Sequence, residues 1–283
     1  MRKEGLQFSK EIKKTAIYIT AIIVLIIQFY PIFWIVCTSF KDKVDIAEST
    51  SYSLPRKISF SNYIEAWTKS DLPTYYVNSL LVTGISLIGI VLFSACAGFA
   101  IEKMRFRWNN AVMTYFLAGI TVPIHATLIP QFQIYKKMGL LNTHTSLILS
   151  MIGFNLAMSI YLFTAFYKFV PDSLIEAAVI DGSSIMNCFI KIILPMSKNT
   201  ILTVITMNLI STWNEFTFTN TFINDTDLKT IPVGLYDFVG SRGQVNWGAT
   251  FAAISLFMLP LLCIHFILNK GFMAGVAVGA MKE

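Results

Sequence analysis

Six stretches of this chain are so long and so apolar that they decide its solvent. A helix needs about 20 consecutive apolar residues to cross the hydrocarbon of a bilayer. Six such spans are placed at 15–40, 72–101, 108–130, 143–167, 199–222 and 248–269. The first two carry no charge, and the fifth carries one acid, Glu215. Some apolar runs exceed these limits, so tilt or ends outside the hydrocarbon are expected. Composition agrees: 55% of the residues are hydrophobic and 13% charged, against about 25% charged in soluble domains. The expected fold is an all-α polytopic membrane protein with six transmembrane helices.

The first run follows Arg2, Lys3, Lys10, Lys13 and Lys14, as a signal peptide would. It is too long for the apolar part of a signal, and no small-x-small site follows, so it is read as a retained span. Cys37, Cys96, Cys188 and Cys263 are far apart and form no CxxC pair. Neither a disulfide nor a metal site is expected of them.

Charge sets the orientation. An even number of spans puts both termini on one side, with the 102–107 link and the 168–198 segment. That side holds 13 basic and 7 acidic residues, and the other side 9 of each. Cytoplasmic segments are enriched in Lys and Arg, so residues 1–14 and the tail 270–283 are expected in the cytoplasm. This bias accounts for the pI near 9.1 without a nucleic-acid partner. The outer face then carries segment 41–71, expected to hold short helices, and loop 223–247. The latter is rich in turn-formers (Pro232, Gly234, Gly240, Gly243) and is read either as a tether or as a docking surface.

The segment 168–198 is too polar to cross and too apolar to dangle. Ser173 followed by Glu176 fits a capping box, which predicts a helix from Leu174 to Asp181. Gly182 then supplies a left-handed stop. A second helix is expected from Ser184, with Ile185, Met186, Phe189, Ile190 and Ile193 on one face and Pro195 as its end or a kink. By pattern alone this elbow is either an amphipathic element resting on lipid or a coupling element. Glu176 could simply cap its helix.

This segment resembles the EAA loop of ABC-importer permeases. Glu176, Ala177, Ala178, Asp181, Gly182, Leu194 and Pro195 match that motif, while Asn199 stands where the family often has a further proline. NYIEAW, NSLLVT, VPIHATLIPQF, GLLNT, TWNEF and KTIPVGL are similar to the carbohydrate-uptake branch. The tail residues Gly275, Gly279 and Lys282 are similar to the ending of its short-form maltose-type subunit. The resemblance implies the type I importer permease fold, with the elbow as the cytoplasmic coupling helix pair. It implies a second permease subunit as heterodimer partner, two ATPase subunits, and an extracellular solute-binding protein delivering a sugar or oligosaccharide across a prokaryotic plasma membrane. The seven EAA residues would meet the ATPase, and Gly275, Gly279 and Lys282 would form a second contact to it. ATP and Mg would sit on that partner, because no GxxxxGK[ST] occurs here. The chain is thus expected to be a transport subunit and not an enzyme, with no cofactor of its own.

The translocation path is read less directly. Glu215 is the one acid well inside a span, which makes it a functional candidate. Trp213 and Asn214 beside it are types that stack on and hydrogen-bond to sugars. Asn78, Asn155 and Asn208 are polar groups in spans, each also readable as helix–helix glue. The competing readings are an ABC permease for a non-sugar solute and an ion-coupled secondary transporter, which would need more intramembrane acids than Glu215.

Overall fold

The structure is a computed structural model. It describes residues 2–50, 52–68, 70–104, 106–238 and 245–280, and the backbone alone for 2–12, 237, 265 and 267–280. Lys282, Gly240 and Gly243 lie outside the described residues, while Gly275 and Gly279 fall within the last helix.

The described residues are helical almost throughout. The helices are α1 (Arg2–Ser39), α2 (Lys43–Glu48), α3 (Ser61–Thr68), α4 (Leu72–Lys103), α5 (Asn109–Ile120), α6 (Ile124–Met138), α7 (His144–Lys168), α8 (Asp172–Ile180), α9 (Ile185–Met196), α10 (Lys198–Trp213), α11 (Thr217–Phe222), α12 (Ile231–Gly234) and α13 (Trp247–Ala280). Among the described residues, four segments are long and apolar enough to cross a membrane: Lys13–Ser39, Leu72–Lys103, His144–Lys168 and Trp247–Ile264. The count rises to six if each of two bent pairs, α5 with α6 and α9 with α10, is one span.

The chain divides into two compact units. The first comprises residues 1–70 and 238–256. Its polar segment is held by buried side chains. Asn62 donates from Nδ2 to the carbonyls of Ser39 (3.0 Å) and Lys41 (2.6 Å). Asp45 accepts from the Arg56 amide at 2.9 Å and lies beside its guanidinium. Short helices were expected in 41–71, and α2 and α3 occupy it.

The second unit comprises residues 71–237 and 257–283. Its spine is α4 packed along α7. Small residues permit the approach. A Cβ on Gly98 would stand 2.9 Å from Phe163 Cβ and 3.1 Å from the Thr164 amide nitrogen. Ser79, Ser86, Ser94, Ser150 and Ser159 are buried in the same two helices. Small residues let apolar helices close in where lipid offers no hydrophobic gain.

Two spans read as continuous are interrupted. The third bends by 101° between α5 and α6. Pro123 sits at the break with ψ 126. A proline lacks the amide that would continue the helix and disfavours helical geometry at the preceding residue, Val122. The fifth stops at Trp213 and resumes at Thr217. The helix that carries the sixth span, α13, runs on to Ala280.

Candidate functional site

The elbow is α8, a turn and α9. Its first helix begins differently from the expected capping box. Pro171 is the N-cap, no side chain caps the helix, and Ser173 lies within it. Proline with φ −62 and ψ 133 already sets the entry, so the serine is not needed there. Asp172 in the first turn accepts from Lys103 Nζ at 2.7 Å, and the same ammonium donates to the Val170 carbonyl at 2.6 Å. Lys103, the last residue of α4, therefore anchors the elbow. Sequence reasoning counted it only as a cytoplasmic charge. Its signal was a buried-helix terminus ending in a lysine.

Gly182 has φ +84 and joins the helices. Its amide closes onto the Val179 carbonyl (3.0 Å) and that of Ser183 onto Ala178 (2.9 Å), a left-handed helix stop. Ser184 caps α9, accepting from the Asn187 amide at 3.2 Å. Near the end of α9, residues Phe189–Ile193 form a π turn, with the Leu194 amide reaching the Phe189 carbonyl. Pro195 two residues later explains it. The missing amide and the bulk of the ring against the preceding turn favour a widened turn. The chain then bends by 72° into α10.

The buried stripe is rotated from the expected face. Cys188, Phe189 and Ile193 join Ala178 in a core with Phe99, Phe163 and Tyr167 from the ends of α4 and α7. Ile185, Met186 and Ile190, assigned to the same stripe, are exposed in the single chain. Periodicity identified an apolar surface, but not which part of it packs inward. Glu176, Ala177 and Asp181 are exposed as well. The Glu176 carboxylate makes no hydrogen bond or ion pair among the described residues and does not reach back to Ser173. The elbow thus has one clamped face and one open face carrying Glu176 with Ile180 (84% exposed) and Met186 (62%).

The proposed pathway residues divide. Trp213 is only 2% exposed. Its indole donates to the Phe257 carbonyl at 3.2 Å and stacks on the Phe257 ring at 5.9 Å. As placed here it is a packing residue and not an open platform for sugar. Glu215 caps α11: its carboxylate accepts from the amides of Phe218 and Thr219 and from the Thr219 hydroxyl. Asn78 donates to the carbonyls of Asp227 (2.8 Å) and Lys229 (2.9 Å), so it binds a loop rather than presenting itself. Asn214 is exposed and donates to Ile210 O at 2.9 Å. Asn208 donates to Ser159 and Asn155 accepts from Ser211, which joins α7 to α10, the glue reading of these residues.

At the opposite end of this unit from the elbow, the first part of loop 223–247 is tied to its own chain. Asn142, at φ 59, accepts from the amides of Asn224 (3.0 Å) and Asp225 (2.9 Å). His144 meets the Leu228 carbonyl at 3.1 Å, and Ser79 accepts from the Ile231 amide at 2.9 Å. Gly234 abuts Tyr75 so closely that a Cβ would lie 2.1 Å from its ring. The structure has a membrane-sized helical unit with an anchored surface elbow at one end and a pinned loop at the other.

Residues 89–276 match the family described as "Binding-protein-dependent transport system inner membrane component". The chain belongs to that family. The permease is 31% identical, over 96% of its own length and 89% of the relative's, to "Probable ABC transporter permease protein YurM" of Bacillus subtilis. It is 29% identical to the diacetylchitobiose uptake system permease protein NgcG of Streptomyces coelicolor, over 91% of the permease and 85% of NgcG. A crystal structure of a bacterial ABC transporter that imports the acidic polysaccharide alginate shares the fold, with TM-score 0.84 over 93% of the permease and 97% of that chain, at 19% identity. The permease is therefore a multi-pass membrane subunit of an ABC importer that works with a binding protein. It is the transport component and not the catalytic one.

Proposed function

We propose that the permease passes a sugar or oligosaccharide, delivered by an extracellular solute-binding protein, and takes its power stroke through the elbow from two separate ATPase subunits that hold ATP and Mg. The observation that carries the coupling role is the open face of the elbow. A water-facing segment with Ile180, Met186 and an uncommitted Glu176 exposed is an unusual apolar surface, and such patches mark interaction sites. The clamped face makes it a lever, since Lys103 and the Phe99–Phe189–Ile193 core transmit its displacement to α4 and α7. Glu176, Ala177, Ala178, Asp181, Gly182, Leu194 and Pro195 form or shape this element. Gly275, Gly279 and Lys282 are proposed as the second ATPase contact. A second permease subunit completes the path as a heterodimer, with both termini cytoplasmic in a prokaryotic plasma membrane.

The sugar assignment rests on the carbohydrate-type motifs from NYIEAW to KTIPVGL and on kinship with a diacetylchitobiose permease. On the path itself, Asn214 is the member of the candidate set that presents surface. Trp213, Glu215 and Asn78 act through packing, capping and loop placement.

The test is Gly182→Pro and Glu176→Lys in the complete importer reconstituted in vesicles. Proline cannot adopt φ +84, and lysine reverses the exposed charge. Both variants are expected to assemble, hydrolyse ATP and lose most saccharide uptake. Full uptake by either one would remove the coupling role from the elbow.

A further inference from the structure

A polar chain runs from the break in the fifth span to the loop that follows it. Residues 214–216 separate α10 from α11. The first amides of a helix have no helical carbonyl to meet, and the Glu215 carboxylate takes those of Phe218 and Thr219. One oxygen of that carboxylate, Oε2, also accepts from the Thr219 hydroxyl at 3.0 Å. The Thr219 hydroxyl in turn accepts from the Thr230 hydroxyl at 3.2 Å. Thr219 and Thr230 are both buried. Each hydroxyl hydrogen is used once, so the chain has one direction, from Thr230 through Thr219 to Glu215. Such chains polarise along their length and fix one geometry where water is excluded.

The Thr230 side chain is turned away from its local role. Thr230 is the N-cap residue of α12, where a threonine hydroxyl ordinarily accepts from an amide of its own helix. It makes no such bond and reaches Thr219 instead. The residues on either side of it are fixed to α4. The Lys229 carbonyl accepts from Asn78 at 2.9 Å, and the Ile231 amide donates to Ser79 at 2.9 Å. The loop thus rests on α4 through its backbone and meets α11 through the Thr230 side chain. A shift of residues 229–231 moves the partner of the Thr219 hydroxyl, and with it the carboxylate that holds the first turn of α11. Asn224, Asp225, Thr226 and Asp227, just before this stretch, are exposed. In the proposed orientation they face the outside, and the break they lead to interrupts a membrane span.

We propose that Thr219 and Thr230 are positioning residues of the transport cycle. They tie the outer loop to the break in the fifth span, so that a loaded binding protein bearing on residues 224–227 resets that break. This rests on the reading above that the binding protein delivers at the outer face, and it adds the route by which its arrival reaches the span. Coupling needs an element with two arrangements that both sites bias. An interrupted helix whose restart is held by one carboxylate is such an element.

The test uses the complete importer in vesicles. ATP hydrolysis is measured without binding protein and with saturating, saccharide-loaded binding protein. The readout is the ratio of the two rates, which a simple loss of folded protein leaves unchanged. Thr230→Val and Thr219→Val keep the side-chain shape and remove the hydroxyl. Each is expected to lower the ratio roughly two- to tenfold, and Thr230→Ser, which keeps the hydroxyl, to restore most of it. The double variant should lose no more than Thr219→Val alone, because one chain carries both. Ser79→Ala is the control. It removes one tie of the loop to α4, lowers the melting temperature and leaves the ratio near that of the unmodified importer. An unmodified ratio in either valine variant overturns the route. So do additive losses in the double variant, and so does an equal fall in Ser79→Ala, which would assign the effect to a loosened loop. If binding protein does not stimulate the unmodified importer, the delivery reading itself fails and the route falls with it.

Discussion

Lys103 shows how much a single side chain can set. It ends α4, is nearly buried, and bonds both the Val170 carbonyl and Asp172. Replacing it by methionine keeps the stem and removes the charge, leaving the carbonyl and the carboxylate short of a donor. The expected cost is about 1–3 kcal/mol, read as a lower detergent melting temperature together with weaker coupling of ATP hydrolysis to uptake. Unchanged coupling would mean that the elbow is held by its apolar core alone. Glu215 makes the complementary case. Sequence marks it as the lone intramembrane acid, and its carboxylate is spent on the α11 amides. Glu215→Ala should therefore cost about 1–3 kcal/mol, the loss from leaving buried donors unpaired, read as a lower melting temperature in detergent. Uptake by the unmodified importer should not respond to an imposed proton gradient. A gradient-driven response would revive the ion-coupled reading.

At the scale of elements, the α4–α7 seam and the broken spans matter most. Gly98 faces the backbone of α7, whereas an added Cβ on Gly84 would meet nothing within 4 Å. Gly98→Val should destabilise by about 1–3 kcal/mol, the range for overpacking a filled contact. Gly84→Ala in the same helix should be neutral or stabilising. The pair, measured by thermal unfolding in detergent, separates close packing from a general intolerance of α4 to substitution. The elbow was legible as two short helices around Gly182 because a glycine with flanking apolar periodicity is a local signal. The true start at Pro171 was less legible, because a plausible serine cap two residues later competes with it. The breaks after Ile120 and Trp213 were hidden for another reason. Hydropathy sums composition over a window and does not register where backbone hydrogen bonding lapses, although Pro123 was in plain view.

For the molecule as a whole, the second unit separates the elbow from the loop that begins at Ile223. Lys103, Asp172 and the elbow gather at one end of that unit. Asn78, Asn142, His144 and the loop from Ile223 gather at the other. In the proposed orientation the first end is cytoplasmic. A cysteine at Asp227, in a background lacking the native cysteines, should react with a membrane-impermeant maleimide on intact cells. One at Asp181 should react only after permeabilisation, and the reverse pattern would invert the topology. The apolar runs, the basic bias and the glycine-centred elbow were determined by sequence alone, because each rests on composition or on spacing along one helix. Tertiary structure decided which side of the elbow is buried and where two spans break. It also shows Trp213 packed on Phe257, Glu215 capping α11 and Asn78 holding a loop. Glu215's capping and the break at Pro123 are local, but the buried side of the elbow and the placing of Trp213 and Asn78 depend on partners tens to more than a hundred residues away: Lys103 with Asp172, Asn78 with Lys229, Trp213 with Phe257. No local pattern carries that information.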